Sequence, residues 1–114
     1  MRNYLDIPLT VIMISVLTTA TLWPHNHPPL GPDGSDKIVH IIAFAALAFP
    51  LSCTRRIGLL PVFIGACIFG GIIEVLQPLF GRSADVQDWI ADIFGVVLGI
   101  VLALQYRRKR LQRT

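Results

Sequence analysis

The residues able to do chemistry fall into three short groups. Asp36, Lys37 and His40 come first, and Asp36 and His40 are four positions apart. Glu74 and Gln77 are three apart. Asp85, Asp88 and Asp92 then follow at i, i+3 and i+7, with Arg82 just ahead of them. On helices, residues spaced by three or four share a face, so each group points one way. Carboxylates beside a histidine suit acid–base chemistry or ligand binding, and they equally suit a self-neutralising network. Which of these applies depends on what brings the three groups together.

Only 15% of the 114 residues are charged, while 54% are hydrophobic. A soluble domain carries about 25% charge. The deficit excludes a disordered chain, a disulfide miniprotein and an ordinary nucleic-acid-binding domain. The net charge of +3 does not restore the last of these, because five of the ten Lys/Arg lie within residues 107–114. That run is a membrane-flanking tail. Four apolar stretches, Ile7–Trp23, Ile38–Cys53, Ile57–Ile73 and Trp89–Tyr106, have 16 to 18 residues each, the short end of what crosses a bilayer core of about 30 Å at about 1.5 Å per residue, and polar residues at their ends extend them. None alternates with period two, so helices rather than a barrel are expected. The expectation is one domain over residues 1–114, an all-α integral membrane bundle of four helices. Pro24 to Gly34 separates the first two spans, Thr54-Arg55-Arg56 turns between the next two, and Phe80-Gly81-Arg82-Ser83 breaks the last pair. Ser35 or Asp36 and Ser83 are candidate helix caps. Asp6 and Pro8 make the first stretch a poor signal peptide, so it is read as a span.

Basic residues orient the bundle. Arg2, Arg55, Arg56, Arg107, Arg108, Lys109, Arg110 and Arg113 fall on one side, against Lys37 and Arg82 on the other. The positive-inside rule then puts both termini in the cytoplasm. Tyr4 and Tyr106 mark the inner interface, Trp23 and Trp89 the outer one. His40, Glu74 and Asp92 come out about 22, 26 and 21 Å above the inner interface by helical rise. They would thus meet in the outer part of the core. Ala91, Gly95 and Gly99 form a small-residue row that lets the fourth helix approach span three or two, and Gly70-Gly71 offers span three the same. The expected site is a polar cluster open to the outer face, lined by Asp36, Lys37, His40, Glu74, Gln77, Arg82, Asp88 and Asp92. Arg82 is expected to clamp Glu74 or Asp88 through its guanidinium fork.

The same residues carry a family resemblance. Asp36-Lys37-Ile38-Val39-His40, followed by Phe44, resembles the D-K-x-x-H opening of the VanZ-like membrane proteins. Glu74-Val75-Leu76-Gln77, then Gly81-Arg82-Ser83, Asp88, Asp92, Gly95 and Gly99, is similar to that family's E-x-x-Q … G-R … D-x-x-x-[ND]-x-x-G-x-x-x-G signature. The match runs from about residue 36 to 99. Asp92 stands where the family often has Asn. The resemblance implies a multi-pass protein of a bacterial cytoplasmic membrane. It also implies a link to glycopeptide susceptibility, since the family's namesake is associated with teicoplanin resistance.

Three functions from different classes fit these residues. The leading one is binding of an amphipathic envelope molecule, a membrane lipid or a lipid-linked wall precursor, with its headgroup in the polar cluster. The second is an accessory or assembly subunit whose partners are other membrane proteins. The third is a membrane-embedded acid–base enzyme. The chain has no G-x-S-x-G elbow and no phosphate loop, so the sequence leans away from catalysis. His25 and His27 are too few for a metal site, and neither metal nor cofactor is expected. Cys53 and Cys67 differ in depth by about 15 Å and are expected to stay free.

Overall fold

A computed structural model describes residues 4–23, 35–81 and 85–113, with the side chains of residues 35, 36 and 113 outside that description. The elements formed by the described residues are all helices: α1 (Asp6–Leu22), α2 (Ser35–Thr54), α3 (Leu59–Leu76) and α4 (Val86–Arg113), with a 3-10 turn at Gln77–Phe80. No strand occurs among them. Lys37–Thr54, Leu59–Phe80 and Val86–Gln112 are each long and apolar enough to cross a membrane, and α1, at 17 residues, is a shorter apolar helix.

The helix ends follow local chemistry. Arg55 takes a left-handed conformation (φ 54°) and its N–H donates to the Leu51 carbonyl, which ends α2. Gly58 at φ 86° and Pro61 in the first turn delay α3 to Leu59, two residues beyond the expected start. Pro78 converts the end of α3 into the 3-10 turn, and Gly81 closes it at φ 76°, a conformation that glycine adopts without strain. Asp85 caps α4, its Oδ1 accepting the Gln87 N–H at 2.9 Å; Ser83, the expected cap, lies outside the described residues. The basic tail does not end the helix, and α4 runs on through Arg113.

Packing is organised by α2 and α4, the most extensively contacting pair. They run parallel, because Gly95 lies against the Ile41 backbone and Gly99, one turn on, against that of Ala45. A β-carbon built on Gly99 would meet the Ala45 carbonyl oxygen at 2.5 Å, and one on Gly95 would clash with that of Ile41. Glycine is therefore required here for close approach rather than for its dihedral freedom. The buried side chains Leu17, Phe44, Ala48, Ala66, Ile73 and Val96 bring all four helices into one core. In none of the three long helices is more than 39% of the apolar window buried. Ile42, Ile68, Ile72 and Val101 face outward, as a lipid-bathed surface requires.

A second polar contact closes the opposite end. The fully buried Asp6 carboxylate accepts Arg56 Nε and Nη2 at 2.8 and 2.9 Å, Thr54 Oγ1 at 2.7 Å and its own helix's Ile7 N–H at 2.7 Å. This ties the head of α1 to the α2–α3 turn, while Arg107 of α4 donates to the Cys53 carbonyl at the end of α2. Arg56 holds the Asp6 carboxyl, which precedes the apolar run starting at Ile7, well below its ordinary value of 3.8. Cys53 and Cys67 are both free.

Two outcomes follow. Gly99→Leu should force the α2 backbone away and lower stability by about 1–3 kcal/mol or more, read as thermal unfolding in detergent; an unchanged melting temperature would refute this contact. A depressed carboxyl pKa supplies stability that is complete above the unfolded value and is lost as pH falls through the folded one. The melting-temperature gap between wild type and Arg56→Gln should therefore be widest at neutral pH and narrow as the pH drops below about 4. A gap constant with pH would mean that the guanidinium does not hold the charge.

Candidate functional site

The α2–α4 register that seats the glycines also aligns the polar residues above them. Lys37 and His40 are three apart on α2, and Asp88 and Asp92 are four apart on α4, so two rungs form between parallel helices. Lys37 Nζ donates to Asp88 Oδ1 at 2.6 Å and to Asp85 Oδ2 at 2.9 Å. One turn deeper, His40 Nδ1 lies 2.6 Å from Asp92 Oδ1. The rungs differ in solvation. The Lys37 rung is partly exposed, with Lys37 and Asp85 at 27% and 42% of their side-chain surface, whereas Asp92 is wholly buried. Lys37, together with the Gln87 N–H, holds Asp85 below its ordinary carboxylate value.

The third helix completes the cluster. Glu74, buried near the end of α3, accepts the Asp85 backbone N–H through Oε2 at 3.0 Å, so one carboxylate spans the α3–α4 connection. Its Oε1 and the Asp92 Oδ2 are buried without a hydrogen-bond partner among the described residues. Gly70 makes room for Asp92: a β-carbon there would sit 2.9 Å from Oδ2. Gly71 receives the Trp89 indole, whose Nε1–H donates to the Cys67 carbonyl at 2.9 Å. Trp89 thus lies along α3 and leads from the polar end toward mid-helix, beyond the interface role expected of it.

Of the residues expected in the site, Lys37, His40, Glu74, Asp88 and Asp92 come together. Gln77 turns away: its amide donates to the Thr21 carbonyl of α1 at 3.2 Å, so it joins helices rather than lining the cluster. Its backbone is still α-helical, at φ −54° and ψ −42°, and three positions of α winding set it about 60° around the helix from Glu74, on the side of α1. Arg82 and the Asp36 side chain lie outside the described residues, as do His25 and His27. Ala91 is buried, and Gly95 and Gly99 lie against α2, one of the two helices expected. Asp85, on the acidic stripe but not among the expected site residues, joins α2, α3 and the α4 cap. Its signal was its place immediately before the periodic α4 segment. Nothing local in the sequence pairs Asp6 with Arg56, since fifty positions separate them.

Beside the cluster, α3 and α4 enclose a groove of about 670 Å³. Ile68, Ile72, Val75, Val86 and Trp89 wall it with apolar surface, and Glu74 and Asp85 stand at its polar end. Val75 and Val86 are exposed at its rim. Such a shape matches a molecule with a hydrocarbon part and a polar part that offers hydrogen-bond donors to carboxylates.

The two contacts of the Lys37 rung should differ energetically as their carboxylates differ in burial. A double-mutant cycle on Lys37→Met and Asp88→Asn is expected to give a coupling of about 1–2 kcal/mol in thermal or denaturant unfolding. The corresponding Lys37/Asp85 cycle should give less, because water screens the more exposed carboxylate. Equal couplings would show that burial does not rank these contacts.

The model of the VanZ/LLP1 family matches residues 3–107. No curated protein and no solved structure matches the chain.

Proposed function

Since the chain belongs to the VanZ/LLP1 family, we propose that it works as a binding module of a bacterial cytoplasmic membrane, holding an amphipathic envelope molecule in the groove between α3 and α4. The membrane protein itself follows from the family and from three helices of spanning length. The finer reading adds Ile7–Trp23, the apolar run of α1 after Asp6, as a fourth span about 26 Å long at about 1.5 Å per residue. It also places the arginine-bearing end, with Arg55, Arg56 and Arg107, in the cytoplasm by the positive-inside rule. The carboxylate end then faces the cell exterior, on the side where wall precursors are used.

One observation carries the reading: an apolar groove of about 670 Å³ lies between α3 and α4, with Glu74 and Asp85 in its wall. A ligand lying there keeps its hydrocarbon part level with Ile68 and Ile72, in the apolar layer. Its headgroup meets carboxylates that accept hydrogen bonds, so hydroxyl- or amine-bearing heads are favoured over bare phosphate. Lipid-linked wall precursors and glycosylated or amino-headed lipids share that chemistry. Withdrawing or presenting such a precursor is the route by which the protein would alter glycopeptide susceptibility.

Native mass spectrometry of protein extracted in mild detergent tests the proposal. The wild type should retain a lipid, and Glu74→Gln and the groove-filling Ile72→Trp should each lower the retained fraction about tenfold, a change of about 1.4 kcal/mol in binding. Equal retention by all three proteins would overturn it.

A further inference from the structure

We infer that His40, Glu74 and Asp92 form a site for one divalent cation of the zinc type. One ligand atom from each of these side chains lies within 4.8 Å of the others, although the residues come from α2, α3 and α4. Bonds of about 2.1 Å to a common ion call for ligand spacings of about 3–4 Å, which small side-chain rotations supply. A carboxylate cluster alone would be satisfied by ion pairing, and the His40 contact does account for Asp92 Oδ1. It leaves over Glu74 Oε1 and Asp92 Oδ2, on side chains 93% and fully buried, both without a hydrogen-bond partner among the described residues. Buried carboxylate oxygens in an apolar surround are costly unless a donor or a cation meets them.

Charge and donor type select the ion. Two carboxylates with one neutral imidazole carry −2, so a divalent cation brings the cluster to neutrality within a membrane. One nitrogen with two oxygens suits zinc-type ions, whereas Ca2+ takes six to eight oxygens and Mg2+ keeps most of its water. The site is also held in place by its surroundings. Asp85 N–H fixes Glu74 Oε2, Gly70 admits the Asp92 carboxylate, and the Lys37–Asp88 rung lies one turn toward the polar end. The sequence alone offers no metal-ligand set of sufficient size, because these three ligands come from three separate helices.

Three protein ligands leave coordination positions open, as zinc sites that exchange ligands do. Glu74 belongs both to this cluster and to the groove wall. An oxygen of a headgroup lying in the groove would then complete the coordination; this last role rests on the lipid-binding reading, while the cation site does not.

The test starts from a full-length His25→Ala/His27→Ala protein, which removes the loop imidazoles as competing ligands. Stripped of lipid and dialysed against Zn2+, it should hold about one ion per chain by elemental mass spectrometry, with Mg2+ and Ca2+ about 100-fold weaker. Asp92→Asn and His40→Ala on that background should each weaken Zn2+ binding about tenfold or more, and Asp88→Asn should change it less than about threefold. Circular dichroism and gel filtration establish that each variant is folded; if Asp92→Asn is not, Glu74→Gln carries the same comparison. Under about 0.1 Zn2+ per chain in the loop variant, or affinity unchanged by the cluster substitutions, would overturn the site. Lipid retention with and without chelator separates the two readings. Loss of lipid on chelation supports the headgroup role, and retention indifferent to chelator removes that role and leaves the cation site alone.

Discussion

The backbone-to-backbone contact between α2 and α4 is the constraint on which the remaining structure depends. Gly95 and Gly99 let the helices meet without side chains between them, and the parallel register that results has no freedom to slip by one residue. Shifted by one position, Gly99 would face the wrong turn of α2 and both polar rungs would lose their partners. The same contact therefore sets packing at mid-bundle and charge pairing at its end. In lipid this coupling matters more than in water, because apolar helix faces are as well solvated by lipid chains as by each other. Close van der Waals approach and satisfied polar groups are left to decide which helices touch.

The two ends of the bundle solve the problem of burying charge in opposite ways. At the arginine end, Asp6 has all its acceptor capacity met by a guanidinium fork, a hydroxyl and a backbone N–H. Such a group is a fastener, and it secures the shortest helix to the α2–α3 turn. At the carboxylate end four acidic side chains, Glu74, Asp85, Asp88 and Asp92, meet one lysine and one histidine among the described residues. Two carboxylate oxygens there remain without partners. A cluster that only held the bundle together would resemble the first end. The difference between the ends is the physical reason for seeking a ligand at one and not the other.

The VanZ/LLP1 family gives this arrangement a setting in the membrane but no chemistry of its own. The groove beside the cluster supplies what the family does not: a shape, and a polarity gradient along it from Ile68 to Glu74. Asp92 adds a carboxylate to the deepest rung. In this chain the cluster therefore has one more charge to balance than an asparagine would leave.

By itself the sequence determined the apolar stretches, the breaks between them and the grouping of polar residues on helix faces. Each depends only on neighbours a few positions apart: Pro78 and Gly81 end a helix wherever it packs, and i, i+4 spacing aligns Asp88 with Asp92 on any α-helix. Depth followed as well, since a fixed rise per residue put His40, Glu74 and Asp92 at one level. Only the tertiary structure decided which faces meet. It took α2 rather than α3 for the glycine row, gave Lys37 to Asp85 and Asp88, turned Gln77 toward α1 and joined Asp6 to Arg56 across fifty positions. These choices depend on how far each helix is rotated about its axis, and that rotation balances contacts from all four helices at once. Periodicity within one helix carries no record of it.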